Sequence, residues 1–353
     1  MVTLEHGLTD RQREILFSVI KIHIATGEPV GSLLLAERLR ERLSSATIRN
    51  IMAELEEAGY LTHPHTSAGR IPTDKGYRYY VDNMLKPSRP SKSDQDVIRR
   101  ELLSEEMLGV DQLMERTSHL LSQLSENVGI VIPPLQAYDP IQHISFVKLA
   151  DRRILVVTVS KTGLVQDRAI RVDEDFTQDE LDKTSRYLVE NFSGLSLIEI
   201  RRQILQLMSE EKALYDRLLQ NAIVICSSGL AEESQTAEVY LDGTSNIINK
   251  PDFADTERIR TLFRLFEEKS RLVKILNEYI AQSPKGSICV RIGSENMALG
   301  MQDCAIIASP YYYRDSVYGS IGVVGPTRIE YLRLINVVNY VARLFERLMD
   351  SHN

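Results

Sequence analysis

Much that would mark an enzyme or a membrane protein is missing from this 353-residue chain. No apolar run reaches the roughly 18 residues that a spanning helix needs, so no membrane segment is expected. The first residues lack the apolar stretch of a secretory signal, which points to the cytosol. Only three cysteines occur, Cys226, Cys289 and Cys304, far apart and without a C-x-x-C pair or the Cys/His spacing of a zinc site. They read as reduced core thiols. The glycine-rich run Gly319–Arg328, GSIGVVGPTR, matches neither G-x-x-x-x-G-K-[ST] nor G-x-G-x-x-G. It reads as a strand with close backbone approach, ended by a Gly-Pro turn. His63 and His65 sit two apart with no third ligand nearby. Glu232–Glu233 and Glu267–Glu268 are adjacent pairs that diverge on a helix, and the Tyr311–Tyr313 cluster is by default packing. No Ser/His/Asp or Cys/His set can be defended, so no catalytic residue, metal ligand or cofactor site is expected.

An excess of positive charge is also missing. The net charge is −7, with 42 Lys+Arg against 49 Asp+Glu. Residues 1–92 hold 13 and 11 of these, a balance of +2, which leaves −9 for the rest. Any basic face must therefore be local, built from Arg49, Arg70, Lys75, Arg78, Lys86, Arg89 and Lys92. The hydrophobic share of 43% and charged share of 26% are those of a globular protein with room for two or three domains.

What the chain does contain is concentrated in Ser44–Asp82. Ser44 or Ser45 can cap a helix that ends at Gly59, with Ile48, Ile51, Met52 and Leu55 as its apolar stripe. The opposite face begins with Ala46, Thr47, Arg49, Asn50 and Ala53 and ends with Glu54 and Glu57. Small, polar and basic residues thus lie at the N-terminal end, where a recognition helix meets base edges and its dipole favours phosphate. Two helices precede it. One opens on the capping box Thr9–Gln12, buries Ile15, Leu16, Val19, Ile20 and Ile24, and stops at Gly27 and Pro29. Ser32 can cap the other, with Leu35, Ala36, Leu39 and Leu43 inward. Leu61–His63 and Arg70–Pro72 are short strands around a small polar tip, and Thr73 can cap a closing helix. That order is a winged helix-turn-helix, and it names duplex DNA as the ligand. Thr47, Arg49 and Asn50 are candidates for base or groove contacts. Ser45, His65, Thr66, Ser67, Arg70 and Lys75 are candidates for backbone and wing contacts.

The segments SSATIRN, AELEEAGYL and HTSAGRIPTDKGYRYYVD resemble the N-terminal domain of the HrcA family of heat-inducible transcription repressors. The resemblance continues in VYLDGTSNIIN at Val239–Asn249 and in GSIGVVGPTRIEY at Gly319–Tyr331. One departure is Leu33–Leu34, where many relatives have a basic residue followed by Thr, which puts a phosphate contact there in doubt. The resemblance implies repression of chaperonin and chaperone operons at an inverted repeat of the CIRCE type. It also implies a homodimer whose activity is set by the GroE chaperonin. The alternative is a small-molecule-gated regulator with a ligand pocket in its C-terminal domain.

The expected organisation is α+β and multidomain. Residues 1–86 form the DNA-binding domain and residues 87–95, rich in Pro, Ser and basic residues, the linker. Helical patterns near 94–103 and 109–125 lead into strands at 128–132, 141–149, 154–160 and 164–172, with Gly163 at a turn. Helices are expected over 177–191, 197–220 and 255–282, then strands at 287–292, 304–312 and 316–324 and a last helix over 327–349. Strands on both sides of a helical middle suggest an insertion into one sheet domain. The resemblance sharpens this to a GAF-like antiparallel sheet domain (96–194 and 283–353) interrupted by an inserted α/β dimerisation domain (195–282).

Overall fold

The computed structural model describes residues 8–39, 43–64, 69–84, 88–103, 110–133, 140–160, 165–195, 199–200, 203, 221, 239–248, 250–253, 256–284, 286–298, 300–313 and 316–351. Helices and antiparallel sheets make it an α+β protein. The described residues fall into two compact bodies. One is drawn from Met1–Ile132, Val239–Tyr311 and Ser320–Glu346, the other from Pro133–Glu238, Tyr312–Gly319 and Arg347–Asn353.

The first body opens with helices α1 (Asp10–Thr26), α2 (Ser32–Arg38) and α3 (Ser45–Glu57). A two-stranded antiparallel ribbon, β1 (Leu61–Thr62) and β2 (Ile71–Pro72), and helix α4 (Asp74–Met84) follow. The capping box at Thr9 forms as its sequence demands: Gln12 N–H donates to Thr9 Oγ1 at 3.3 Å, and Thr9 N–H to Gln12 Oε1 at 3.0 Å. α1 ends at Gly27 in the left-handed region, φ +76°. Ile15, Leu16, Val19 and Ile20 are buried as expected, while Ile22 rather than Ile24 completes the face. Ser32 does not cap α2: Gly31 holds the extended cap position without a side-chain bond, and Ser32 is already helical. Val30 and Arg70 exchange backbone hydrogen bonds of 2.9 Å in both directions, adding a bridge beside the ribbon. Gly69 makes that bridge possible, since a Cβ there would lie 2.6 Å from the Val30 backbone.

Helix α5 (Lys92–Leu102) starts inside the expected linker, because Ser91 accepts from Asp94 N–H at 3.1 Å and caps it. Arg333 donates to the buried Asp94 carboxylate at 3.0 Å and, with Ser91, holds that carboxyl below the usual carboxylate range. Helix α6 (Val110–Ser125) leads into β3 (Val128–Ile132), all five residues of which are buried. β3 joins β7 (Tyr240–Asp242), β8 (Cys289–Ile292), β9 (Cys304–Tyr313) and β10 (Ser316–Pro326) in a sheet of order β7-β3-β10-β9-β8. The glycine-rich run does form a strand: a Cβ at Gly322 would meet the Ile307 carbonyl at 2.8 Å, and one at Gly325 the Asn127 side chain at 2.2 Å. The last helix, Tyr331–Ser351, packs Phe345 edge-on against Tyr311 at 4.8 Å, and Tyr311 donates to the Ile132 carbonyl. The helical stretch expected over 255–282 is two helices, Thr256–Glu267 and Lys269–Ala281, broken at Glu268.

The second body contains β4 (Ile141–Lys148), β5 (Arg153–Ser160) and β6 (Val165–Arg171), an antiparallel sheet in that order, with helix α7 (Gln178–Phe192). A register shift between Ile141 and His143 lets residues three apart, Ile141 and Ile144, both face inward before the normal alternation brings in Phe146. With Ile154, Val156, Ile170, Leu181 and Leu188 they form one apolar cluster.

These pairings alter the expected domain plan. Residues 141–171 do not share a sheet with β3, so 96–194 is not one part of one sheet domain. The chain leaves the five-stranded sheet at 133 and re-enters it at 239, not at 195 and 282. Alternation identifies a strand but not its partners, which accounts for the difference. The expected helix over 197–220, apart from residues 199–200 and 203, the hairpin at Gly163 and Cys226 lie outside the described residues.

Candidate nucleic-acid interface

Helix α3 carries most of the predicted contact residues. Its Ile48, Met52 and Leu55 are fully buried, which fixes the rotation of the helix and turns the other face outward. Burial of each contributes roughly 1.5–3 kcal/mol. Ser44, not Ser45, is the cap: its Oγ accepts from Thr47 N–H at 3.1 Å and lies 2.9 Å from the Thr47 hydroxyl. Ser45 is the first helical residue and is half-buried. Ala46, Thr47, Arg49, Asn50 and Ala53 are exposed. Among the described residues, the side chains of Arg49 and Asn50 have no hydrogen-bond or ion-pair partner. A cation and an amide therefore stand free at the electropositive end of a helix.

The other end of α3 is committed. Gln12 donates to Glu54 at 2.9 Å. Glu56 takes the Nε–H of Arg70 at 2.9 Å on one oxygen and pairs with His63 through the other. That carboxylate ties the ribbon to the helix, a role with no sequence signal beyond Glu56 lying toward the apolar flank. Lys75 donates from Nζ to the Ala58 carbonyl at 2.9 Å and lies 4.5 Å from the Tyr60 ring centroid. It therefore stabilises the electronegative end of α3, away from Thr47. Gly59 sits in the left-handed region at φ +78°, as expected, and Gly76 lets α4 approach, since a Cβ there would meet the Tyr60 carbonyl at 2.3 Å.

The structure thus brings Ser45, Thr47, Arg49 and Asn50 together on α3 and sets Arg70 at the ribbon's base. His65, Thr66 and Ser67 lie outside the described residues. Of the residues counted as a basic face, Arg70 and Lys75 are engaged as above, and Arg78 donates to both oxygens of Glu295 and to the Val290 carbonyl. Lys86 also lies outside the described residues. Leu33 and Leu34, at the departure from the family pattern, are exposed on α2.

Comparison with known proteins gives this arrangement a family. The family model of the HrcA protein C terminal domain matches residues 111–335. A heat-inducible transcription repressor HrcA from Geobacter sulfurreducens is 41% identical, over 98% of this chain and 99% of its own. The chain belongs to the HrcA family. A second HrcA repressor, from Syntrophobacter fumaroxidans, is 37% identical over 98% of each chain. The HrcA family is one of transcription repressors and not of enzymes. A hypothetical protein whose crystal structure is known at 2.2 Å resolution shares the fold, with a TM-score of 0.63 and 24% identity over 98% of this chain and 100% of that one. Among the described residues, no helix of this HrcA-family chain is long and apolar enough to cross a membrane.

Proposed function

We propose that this chain is a cytoplasmic, dimeric transcription repressor that binds duplex DNA at an inverted repeat. Residues 10–84 act as a winged helix-turn-helix, with α3 in the major groove. The observation that carries the reading is the free N-terminal face of α3, with Thr47, Arg49 and Asn50 exposed above a fully buried Ile48–Met52–Leu55 stripe. Asn50 suits a bidentate contact to adenine and Arg49 one to guanine or phosphate. Ser45, His65, Thr66, Ser67 and Arg70 are assigned to sugar–phosphate contacts, and Lys75 is reassigned from contact to support. A single module reads few bases, so two copies related by a two-fold axis are required. The relatives' names support heat-inducible genes as the regulated set, while an operator of the CIRCE type and modulation by a chaperonin of the GroE kind are what the family resemblance implies. The sheet body is read as GAF-like.

The test is binding of purified protein to an inverted-repeat duplex and to a scrambled duplex at physiological salt, with and without chaperonin. Operator-selective binding that tightens with chaperonin is the expected result. Selective binding indifferent to chaperonin keeps the repressor and removes the modulator. Equal weak binding by folded, dimeric protein overturns the reading and favours the small-molecule-gated alternative.

A further inference from the structure

Within the first body, the proposed DNA-reading module, residues 10–84, meets the part that carries the five-stranded sheet at two polar points with a buried aromatic pair between them. At the first, Arg328 follows β10 and forks onto Asp252, with Nε and Nη2 donating at 2.9 and 2.8 Å. Its remaining Nη1 donates to the Ile24 carbonyl at 3.1 Å, in the last turn of α1, where carbonyls lack helical donors. The guanidinium lies flat against Gly27: a Cβ there would be 3.2 Å from its central carbon. At the second, Arg78 of α4 forks onto Glu295, and Asp74 accepts from Ser294 N–H at 2.8 Å. Between them Tyr77 and Tyr331 pack at 5.6 Å, both buried, and the Tyr77 hydroxyl has no hydrogen-bond partner.

Partly exposed ion pairs add little stability, but planar Arg–carboxylate forks fix direction. Here the Arg78–Glu295 fork joins α4 directly, and the Arg328–Asp252 fork orients the guanidinium whose remaining nitrogen holds the Ile24 carbonyl of α1, so two different helices of one module are held against tilting and twisting. Arg328 lies in the C-terminal stretch Gly319–Tyr331 and Asp252 three residues beyond Val239–Asn249, in segments that DNA reading itself does not use. We infer that the Arg328–Asp252 and Arg78–Glu295 forks are positioning elements that set the direction in which α3 is presented, and through it the half-site spacing the repressor accepts. This rests on the proposed repressor reading. Two rigidly held modules engage both half-sites only at a matching separation. A change of about 5 bp, half of the roughly 10-bp turn, carries the second groove to the opposite side of the duplex. Loss of simultaneous engagement forfeits an avidity on the order of 100-fold or more.

The experiment measures affinity of the full-length protein for three duplexes: the inverted repeat, the same repeat with about 5 bp inserted between half-sites, and an isolated half-site. Wild type is expected to prefer the first over the second by on the order of 100-fold. Arg328→Gln and Asp252→Asn are expected to narrow that preference to below about tenfold while half-site affinity stays within about twofold. Arg328→Lys keeps the charge but not the fork and is expected to behave like Arg328→Gln. Tyr77→Phe removes the unpartnered hydroxyl, tightens the docking and is expected to keep or widen the preference. Parallel loss on the full and half sites in Arg328→Gln would mean a role in folding or direct contact, and would overturn the inference. So would a wild type indifferent to spacing, or an unchanged preference in both fork variants. A wild type that binds no inverted repeat in preference to scrambled DNA instead removes the repressor reading itself.

Discussion

At its N-terminal end α3 presents Ala46, Thr47, Arg49 and Asn50 to solvent; at its C-terminal end Glu54, Glu56 and the Ala58 carbonyl are all held by partners. The ends are less than four turns apart and share one buried stripe. The difference separates two tasks. On the proposed reading, a surface that exchanges water for base edges keeps the Arg49 and Asn50 side chains uncommitted, with only Thr47 engaged at the Ser44 cap, because each internal bond would have to be broken first. A surface that must hold a ribbon at a fixed angle satisfies its polar groups internally. Charge alone does not distinguish them: Arg49 and Arg70 look equivalent in composition, yet one is free and the other is engaged with Glu56.

The most severe way to break the comparison is to remove what both ends share. Met52→Ala should cost roughly 2–5 kcal/mol of stability, read by urea denaturation, and DNA binding should fall only as the folded fraction falls. Asn50→Ala should act on the reading end alone. It should cost about 1–3 kcal/mol at one base pair and leave the melting temperature unchanged. A loss spread evenly over all sequences would contradict the assignment to base reading. Ser44→Ala removes the cap that organises the reading end and should cost about 1 kcal/mol of stability.

The parts legible in the sequence are those decided by neighbours in sequence. The Thr9–Gln12 capping box, the Gly27 and Gly59 helix ends and the strand β3 follow from a few adjacent residues. The illegible parts depend on contacts across the fold. Arg328 and Asp252 are 76 residues apart, and Arg78 and Glu295 217 apart, so no spacing rule joins them. Strand alternation at 141–171 is plain, but it does not say that these strands belong to a second sheet. At the candidate interface the face of α3 was readable because helical periodicity fixes it. The choice between Ser44 and Ser45 as cap was not, because both serines suit the position. Lys75 shows a related limit: its place among candidate contact residues does not reveal its bond to the Ala58 carbonyl.

Smaller effects sharpen the supporting end. Glu56→Gln keeps size and hydrogen bonding but removes the charge shared by His63 and Arg70. Both partners are partly exposed, so the expected loss is only about 1 kcal/mol or less, with base-pair preference intact. Arg70→Ala should lose a similar amount and, if the ribbon lies on the backbone, also flatten the salt dependence of binding by about 0.9 in log–log slope.

Lys75→Met gives the smallest and most discriminating shift. The thioether side chain retains apolar contact with Tyr60 but loses the bond to the Ala58 carbonyl and the cation over the ring. A stability loss of about 0.5–1 kcal/mol is expected, from the helix end and the cation–π contact together. The salt slope of operator binding should not move, because the ammonium neutralises a helix terminus and no phosphate. If instead the slope falls by about 0.9 while stability is unchanged, Lys75 leaves Ala58 on binding and joins the reading surface. The division between the two ends of α3 would then hold only for the free protein, with DNA drawing the supporting end into contact as well.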